Sequence, residues 1–226
     1  MPRGVPLPGS VPDDGLTTRQ RRNQPVLAVH TGAGKGKSTA AFGMALRAWN
    51  QGFDVAVFQF VKSAKWKVGE ESVFRTLGDL HTERGVGGAV EWHKMGSGWS
   101  WSRKQGDEVD HAEDAREGWR EIASRIAAER HRFYVLDEFT YPLHWGWIDV
   151  DEVVETLTAR PGTQHVVITG RSAPPALMDA ADLVLPSKLA GMLASGRPVL
   201  VTADAGTELY DVLDGTALLV PPGDAE

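Results

Sequence analysis

The stretch that most constrains this chain runs from residue 26 to residue 52. Val26-Leu-Ala-Val-His30 is a short apolar run, followed by a turn with three glycines, Thr31-Gly-Ala-Gly-Lys-Gly-Lys-Ser38. From Lys37 the spacing becomes helical, with Ala40, Ala41, Met44, Ala45 and Ala48 three or four residues apart, and it stops at Gly52. The same alternation continues downstream. Asp54–Phe60, Phe133–Asp137, His165–Thr169 and Asp182–Leu185 read as strands. Asp107–Arg130 reads as an amphipathic helix with Ala112, Ala115, Trp119, Ile122 and Ile126 on one stripe, and a second helix is expected near Asp151–Ala159. Strands alternating with helices predict an α/β fold, a mainly parallel sheet with helices on both faces. Residues 63–106 are rich in Gly and Trp without a clear period; they are expected to be irregular and, at that length, functional.

The glycine turn carries chemistry of its own. Backbone N–H groups of Gly32, Ala33, Gly34, Lys35 and Gly36 can close around phosphate oxygens, because glycine tolerates the tight turn this needs. The following helix adds its positive N-terminal end, with Thr39 in its first turn. Lys37 places a cation on the phosphates, and Ser38 offers a hydroxyl to Mg²⁺. The match to the phosphate-loop pattern is not strict: Thr31 stands at the first glycine position, and Lys35 adds a second cation. Asp137 and Glu138 close an apolar strand about a hundred residues on, where phosphate-loop proteins place the carboxylates that engage Mg²⁺. Loop and carboxylates together predict Mg-nucleotide binding on a phosphate-loop NTPase (RecA-like) fold.

Composition narrows the field. Of 226 residues none is cysteine, which removes disulfides, thiolate zinc sites and thiol nucleophiles. The net charge of −6 argues against a general nucleic-acid binder. No apolar run reaches the roughly 18 residues of a membrane span, and the start lacks an apolar signal core, so a cytoplasmic protein without membrane contact is expected. Residues 1–24 are expected to form a mobile N-terminal arm ahead of a domain over 25–184.

No water-positioning or hydroxyl-activating pattern of a hydrolase or kinase is evident. Instead Glu91-Trp-His-Lys-Met-Gly-Ser-Gly-Trp-Ser-Trp101 stands in the long connection. Trp99 and Trp101 are either core residues or a flat apolar platform for a planar ligand. The ordered set of the glycine turn, Gln59-Phe-Val-Lys62, Gly98-Trp-Ser-Trp101, Val135-Leu-Asp-Glu-Phe-Thr-Tyr141 and Ile168-Thr-Gly-Arg171 resembles the phosphate-loop type of ATP:cob(I)alamin (corrinoid) adenosyltransferase, actinobacterial members above all, over residues 16–184. The resemblance implies transfer of the 5′-deoxyadenosyl group of ATP to Co(I) of a corrinoid, with release of triphosphate. It implies that residues 32–39 hold the triphosphate, that Ser38 and Glu138 bind Mg²⁺ with Asp137 adjacent, and that Trp99 and Trp101 lie against the lower corrin face. It further implies a reductant partner such as a flavodoxin or reduced flavin, and a homodimer. Arg47 and Arg171 are candidate nucleotide contacts or structural ion pairs; His93 and His144 carry no assigned role.

Residues 185–226 depart from that family. They hold two basic and six acidic residues and neither Trp nor His. Pro186-Ser-Lys-Leu189, Ala194-Ser-Gly-Arg-Pro-Val199, Gly206-Thr-Glu-Leu209 and Val220-Pro-Pro-Gly-Asp224 instead resemble a fragment of a family 4-type glycosyltransferase. Too short to be a transferase, the segment is expected to extend the sheet edge or to form a small C-terminal appendage. The alternative function that follows is an ATP-binding module or NTPase without adenosyltransferase activity.

Overall fold

A computed structural model describes residues 24–60, 69–95, 108–186, 200–202 and 217–220, with positions 17, 20, 210, 213 and 215. Six parallel strands form the main sheet: β1 (Leu27–Thr31), β2 (Val55–Gln59), β3 (Val90–Lys94), β4 (Phe133–Asp137), β5 (His165–Thr169) and β6 (Leu183–Pro186). Their spatial order is β3-β2-β4-β5-β1-β6. The helices are α1 (Lys37–Asn50), α2 (Gly69–Arg84), α3 (Glu108–Ala127), α4 (Thr140–His144), α5 (Val150–Thr158) and α6 (Pro175–Asp179).

The near-continuous apolar strands follow from burial on both faces. Because successive side chains point to opposite faces, Leu27 and Val29 of β1 join one core with Trp119, Ile122 and Ile126 of α3, Leu157 of α5 and Leu177 of α6. Ala28 joins the other core with Ala41, Phe42, Ala45 and Trp49 of α1 and Phe74 of α2. The sheet is thus a sandwiched layer whose strand ends are all presented in one direction.

The connection over residues 63–106 differs from the expectation. It contains the sixteen-residue helix α2 and the edge strand β3, which pairs with β2 in parallel register. Both sit at the sheet's rim, so their apolar signal is thin: α2 buries only Phe74 fully, leaves Val73 half exposed, and β3 reads Val-Glu-Trp-His-Lys. An aromatic cluster supplies the packing instead, with Trp92 stacked on Phe42 at 5.4 Å and Phe74 tilted against Trp92 at 6.1 Å. Gly88 makes the turn into β3 possible, since a Cβ there would lie 2.0 Å from the Phe53 carbonyl oxygen.

In the C-terminal segment, β7 (Leu200–Thr202) and β8 (Leu218–Val220) pair in parallel as a separate two-stranded sheet. Leu185 and Pro186 end β6 at the edge of the main sheet, whereas β7 and β8 pair with each other and with none of the six main strands. No helix among the described residues is long and apolar enough to cross a membrane.

Candidate functional site

Four central strands end in a polar residue at the same sheet edge: Thr31 on β1, Gln59 on β2, Asp137 on β4 and Thr169 on β5. After Thr31 the chain turns through Gly32 at φ 105° and enters α1 through Gly36 at φ 104°. Both are left-handed conformations that a side chain would strain. The Lys37 ammonium folds back over this loop, donating to the carbonyls of Gly34 (2.7 Å) and Gly32 (3.0 Å). Burial lowers the Lys37 pKa and Arg171 adds to that, whereas Glu138 and Asp137 oppose it. A cation held this way can be drawn onto an anion without first shedding a full water shell.

Asp137 is fully buried, and three side chains donate to it. Ser38 Oγ (2.7 Å) and Thr169 Oγ1 (2.8 Å) reach Oδ1, and Gln59 Nε2 (2.9 Å) reaches Oδ2. Glu138 follows at φ 59°, a left-handed backbone uncommon for any residue but glycine, with its N–H donated to Thr169 Oγ1 at 2.9 Å. That twist separates the two adjacent carboxylates: Asp137 points into the strand ends, and Glu138 lines the cavity above the loop. The cavity measures about 340 Å³ and is walled by residues 34–39 together with Glu138, Tyr141 and Arg171. Behind it Thr140 Oγ1 donates to the Arg171 carbonyl at 2.7 Å, across Gly170, where a Cβ would sit 1.9 Å from that hydroxyl.

Among the described residues no cluster of three or more His, Cys, Asp or Glu could hold a metal ion unaided. The oxygen donors of Ser38, Asp137 and Glu138 fit a hard cation that completes its shell from phosphate oxygens and water, as Mg²⁺ does.

The structure therefore brings Gly34, Lys35, Gly36, Lys37, Ser38, Thr39, Glu138 and Arg171 to one cavity, with Gly32 beneath the lysine and Asp137 behind it. Ala33 lies exposed in the same loop. Arg47 is not brought there. It sits ten residues beyond Lys37, about 15 Å along the helix axis, and lines a groove with Phe53, Phe133 and His165 at the opposite, N-terminal ends of the strands. His93 stacks on Phe58 at 4.8 Å and bonds to Glu91, a packing role, and His144 is exposed. Trp99 and Trp101 lie outside the described residues. Met95, the last residue described before them, donates its N–H to the Gln59 carbonyl at 2.9 Å and packs where Gly118 of α3 has no side chain. Thr169 and Tyr141 stand within the quoted motifs but carry no role assigned from sequence; the structure brings both to the candidate site. The signal for Thr169 was the polar residue that closes each central strand.

A sequence model of the family described as ATP:corrinoid adenosyltransferase BtuR/CobO/CobP matches residues 23–190. The chain belongs to that adenosyltransferase family. It is 38% identical over 171 residues to the corrinoid adenosyltransferase of Pseudomonas aeruginosa, covering 76% of this chain and 78% of the relative. It is 35% identical over 201 residues to the corrinoid adenosyltransferase CobA of Salmonella typhimurium, covering 89% and 91%. The corrinoid adenosyltransferase of Escherichia coli gives 34% over the same length. An alignment covering 89% of the chain extends past residue 190, so likeness to these adenosyltransferases reaches into the segment that looked foreign.

Proposed function

We propose that this chain transfers the 5′-deoxyadenosyl group of ATP to Co(I) of a corrinoid, cobalamin or cobyrinic acid a,c-diamide, in adenosylcobalamin biosynthesis. The observation that carries the reading is a phosphate loop facing the Asp137–Glu138 strand end across one cavity, in a chain of this family. The electron pair of reduced cobalt attacks ribose C5′, the Co–C bond forms, and the C5′–O bond breaks with its electrons leaving on triphosphate. The substrate supplies the nucleophile, so no catalytic side chain has to act as one. The protein's work is to hold C5′ in line and to stabilise charge on the leaving triphosphate.

In this reading the backbone of residues 32–36, with Lys35, Lys37, Ser38 and Thr39, holds the triphosphate. Ser38 and Glu138 bind Mg²⁺, and Asp137 orients the Ser38 hydroxyl. Mg²⁺ neutralises charge on the phosphate chain. Trp99 and Trp101 form the platform under the corrin. A cytoplasmic homodimer served by a flavodoxin or reduced flavin completes the proposal. Residues 25–184 are read as an actinobacterial-like adenosyltransferase domain and residues 185–226 as a C-terminal appendage with motifs of glycosyltransferase type, which the separate β7–β8 sheet supports.

An anaerobic assay with ATP, Mg²⁺ and chemically reduced cobalamin tests the reading. A new Co–C absorption band with release of triphosphate is expected. Orthophosphate without that band would identify an NTPase, and ATP binding without turnover an inert module, the alternative that the appended segment raises. Trp101→Ala should spare ATP affinity while slowing alkylation, and equal loss of both would instead assign Trp101 to the core.

A further inference from the structure

Gln59 touches neither the phosphate loop nor the cavity lining given above, yet its placement is unusual. It ends β2, its side chain is completely buried, and its register partners are Asp137 on β4 and Lys94 on β3. Its Nε2 donates to Asp137 Oδ2 at 2.9 Å. The opposite amide orientation would set two oxygens against each other, so the carboxylate dictates which way the amide points. Its Oε1 is also buried, and no donor among the described residues reaches it.

A buried amide with an unsatisfied oxygen costs stability. An apolar side chain of similar volume would fill the position without that cost. The core gains nothing from glutamine here; the site does. Asp137 Oδ1 is already shared by Ser38 and Thr169, and Gln59 donates to the other oxygen, so the three donors together set the rotation of the carboxylate. The rotation in turn decides where the Ser38 hydroxyl is held. Gln59 is itself immobilised in the sheet, because its carbonyl accepts the Met95 N–H.

We propose that Gln59 is a positioning residue of the phosphate site: its amide locks Asp137, and through Asp137 the Ser38 hydroxyl, in the orientation that receives the cation-bound phosphates. The inference rests on reading the cavity as an ATP site and not on the corrinoid step.

Its test is a double-mutant cycle on the full chain, with ATP binding followed by calorimetry in Mg²⁺ and again in EDTA. Gln59→Leu is expected to weaken ATP binding about tenfold in Mg²⁺, the effect of losing one hydrogen bond to a charged group, and less than about twofold in EDTA. In an Asp137→Asn background the same substitution should cost little more, because its target is already changed. Where reduced corrinoid is turned over, KM for ATP should rise while KM for the corrinoid holds. Equal losses with and without Mg²⁺, or additive losses in the cycle, would overturn the inference and make Gln59 a packing residue. Should Gln59→Leu not fold, Gln59→Asn keeps the amide one methylene short of Asp137 and carries the same expectations. A wild-type chain that binds no ATP would sink the ATP-site reading itself, whereas wild-type binding with an unaffected Gln59 variant would sink this inference alone.

Discussion

Asp137 and Glu91 are both pinned carboxylates of the same sheet, and they are pinned by different chemistry. Glu91 on β3 is held by cations and imidazoles: Arg125 Nη1 at 2.6 Å, Arg130 Nη2 at 3.5 Å, His93 Nε2 at 3.1 Å and His131 Nε2 at 3.2 Å. Asp137 accepts hydrogen bonds from two hydroxyls and an amide. Guanidinium donors satisfy a carboxylate and neutralise it, whereas hydroxyl and amide donors satisfy its oxygens and leave its charge in place. The first arrangement ties β3 to α3 and the start of β4. The second holds negative charge against a loop built for phosphate, where an incoming cation can use it. Four substitutions and one pH series can break that contrast.

The largest effect should come from Lys37→Ala. With the loop cation gone, ATP affinity measured by calorimetry should fall about a hundredfold or more, and the melting temperature should barely move. Exchanging the two carboxylates comes next. Asp137→Asn should weaken Mg²⁺-dependent ATP binding about tenfold, whereas Glu91→Gln should leave it within about twofold and instead cost about 1 kcal/mol in urea unfolding, a charged-group bond discounted for its partial exposure. If Glu91→Gln damaged ATP binding as much as Asp137→Asn, the contrast would be wrong.

The pH dependence separates the two ends further. Burial pushes the Glu91 carboxyl up, but Arg125, His93 and His131 outweigh it and hold its pKa at about 2, below the ordinary 4.5. Its stabilisation is therefore present above pH 4.5 and is lost as pH falls towards 2. His131 has its pKa lowered by burial, with Glu91 opposing only in part. The unfolded chain therefore takes up that proton first, and stability begins to decline as pH drops below about 6.5. Urea midpoints between pH 7 and pH 3 should trace both steps, and Glu91→Gln should flatten the lower one. The smallest effect belongs to Arg47→Ala, which should change ATP affinity by less than about twofold, because Arg47 stands at the far end of α1.

The buried half of the molecule was legible in the sequence, and its rim was not. β4 and β5 begin and end where the apolar runs do, because strands covered on both faces must be apolar throughout. α2 and β3 were hidden because an edge element needs only one buried face, and Phe74 and Trp92 alone supply most of theirs. The loop and the Asp137–Glu138 pair could be read from residue types at fixed spacing. Arg47 was misleading because one helix carries both the loop lysine and a distant arginine. Gln59 and Thr169 stand in quoted motifs and at polar ends of apolar strands, but it takes strand order to show that they converge on Asp137.

In the proposed reaction this cavity holds ATP so that C5′, and not a phosphorus atom, is attacked. A single-turnover experiment with ATP, Mg²⁺ and Co(I) corrinoid under anaerobic conditions tests it directly, by counting Co–C bonds and phosphate products together. The account predicts one triphosphate per Co–C bond formed, with no orthophosphate in step with it. Orthophosphate and ADP formed without a Co–C bond would contradict it.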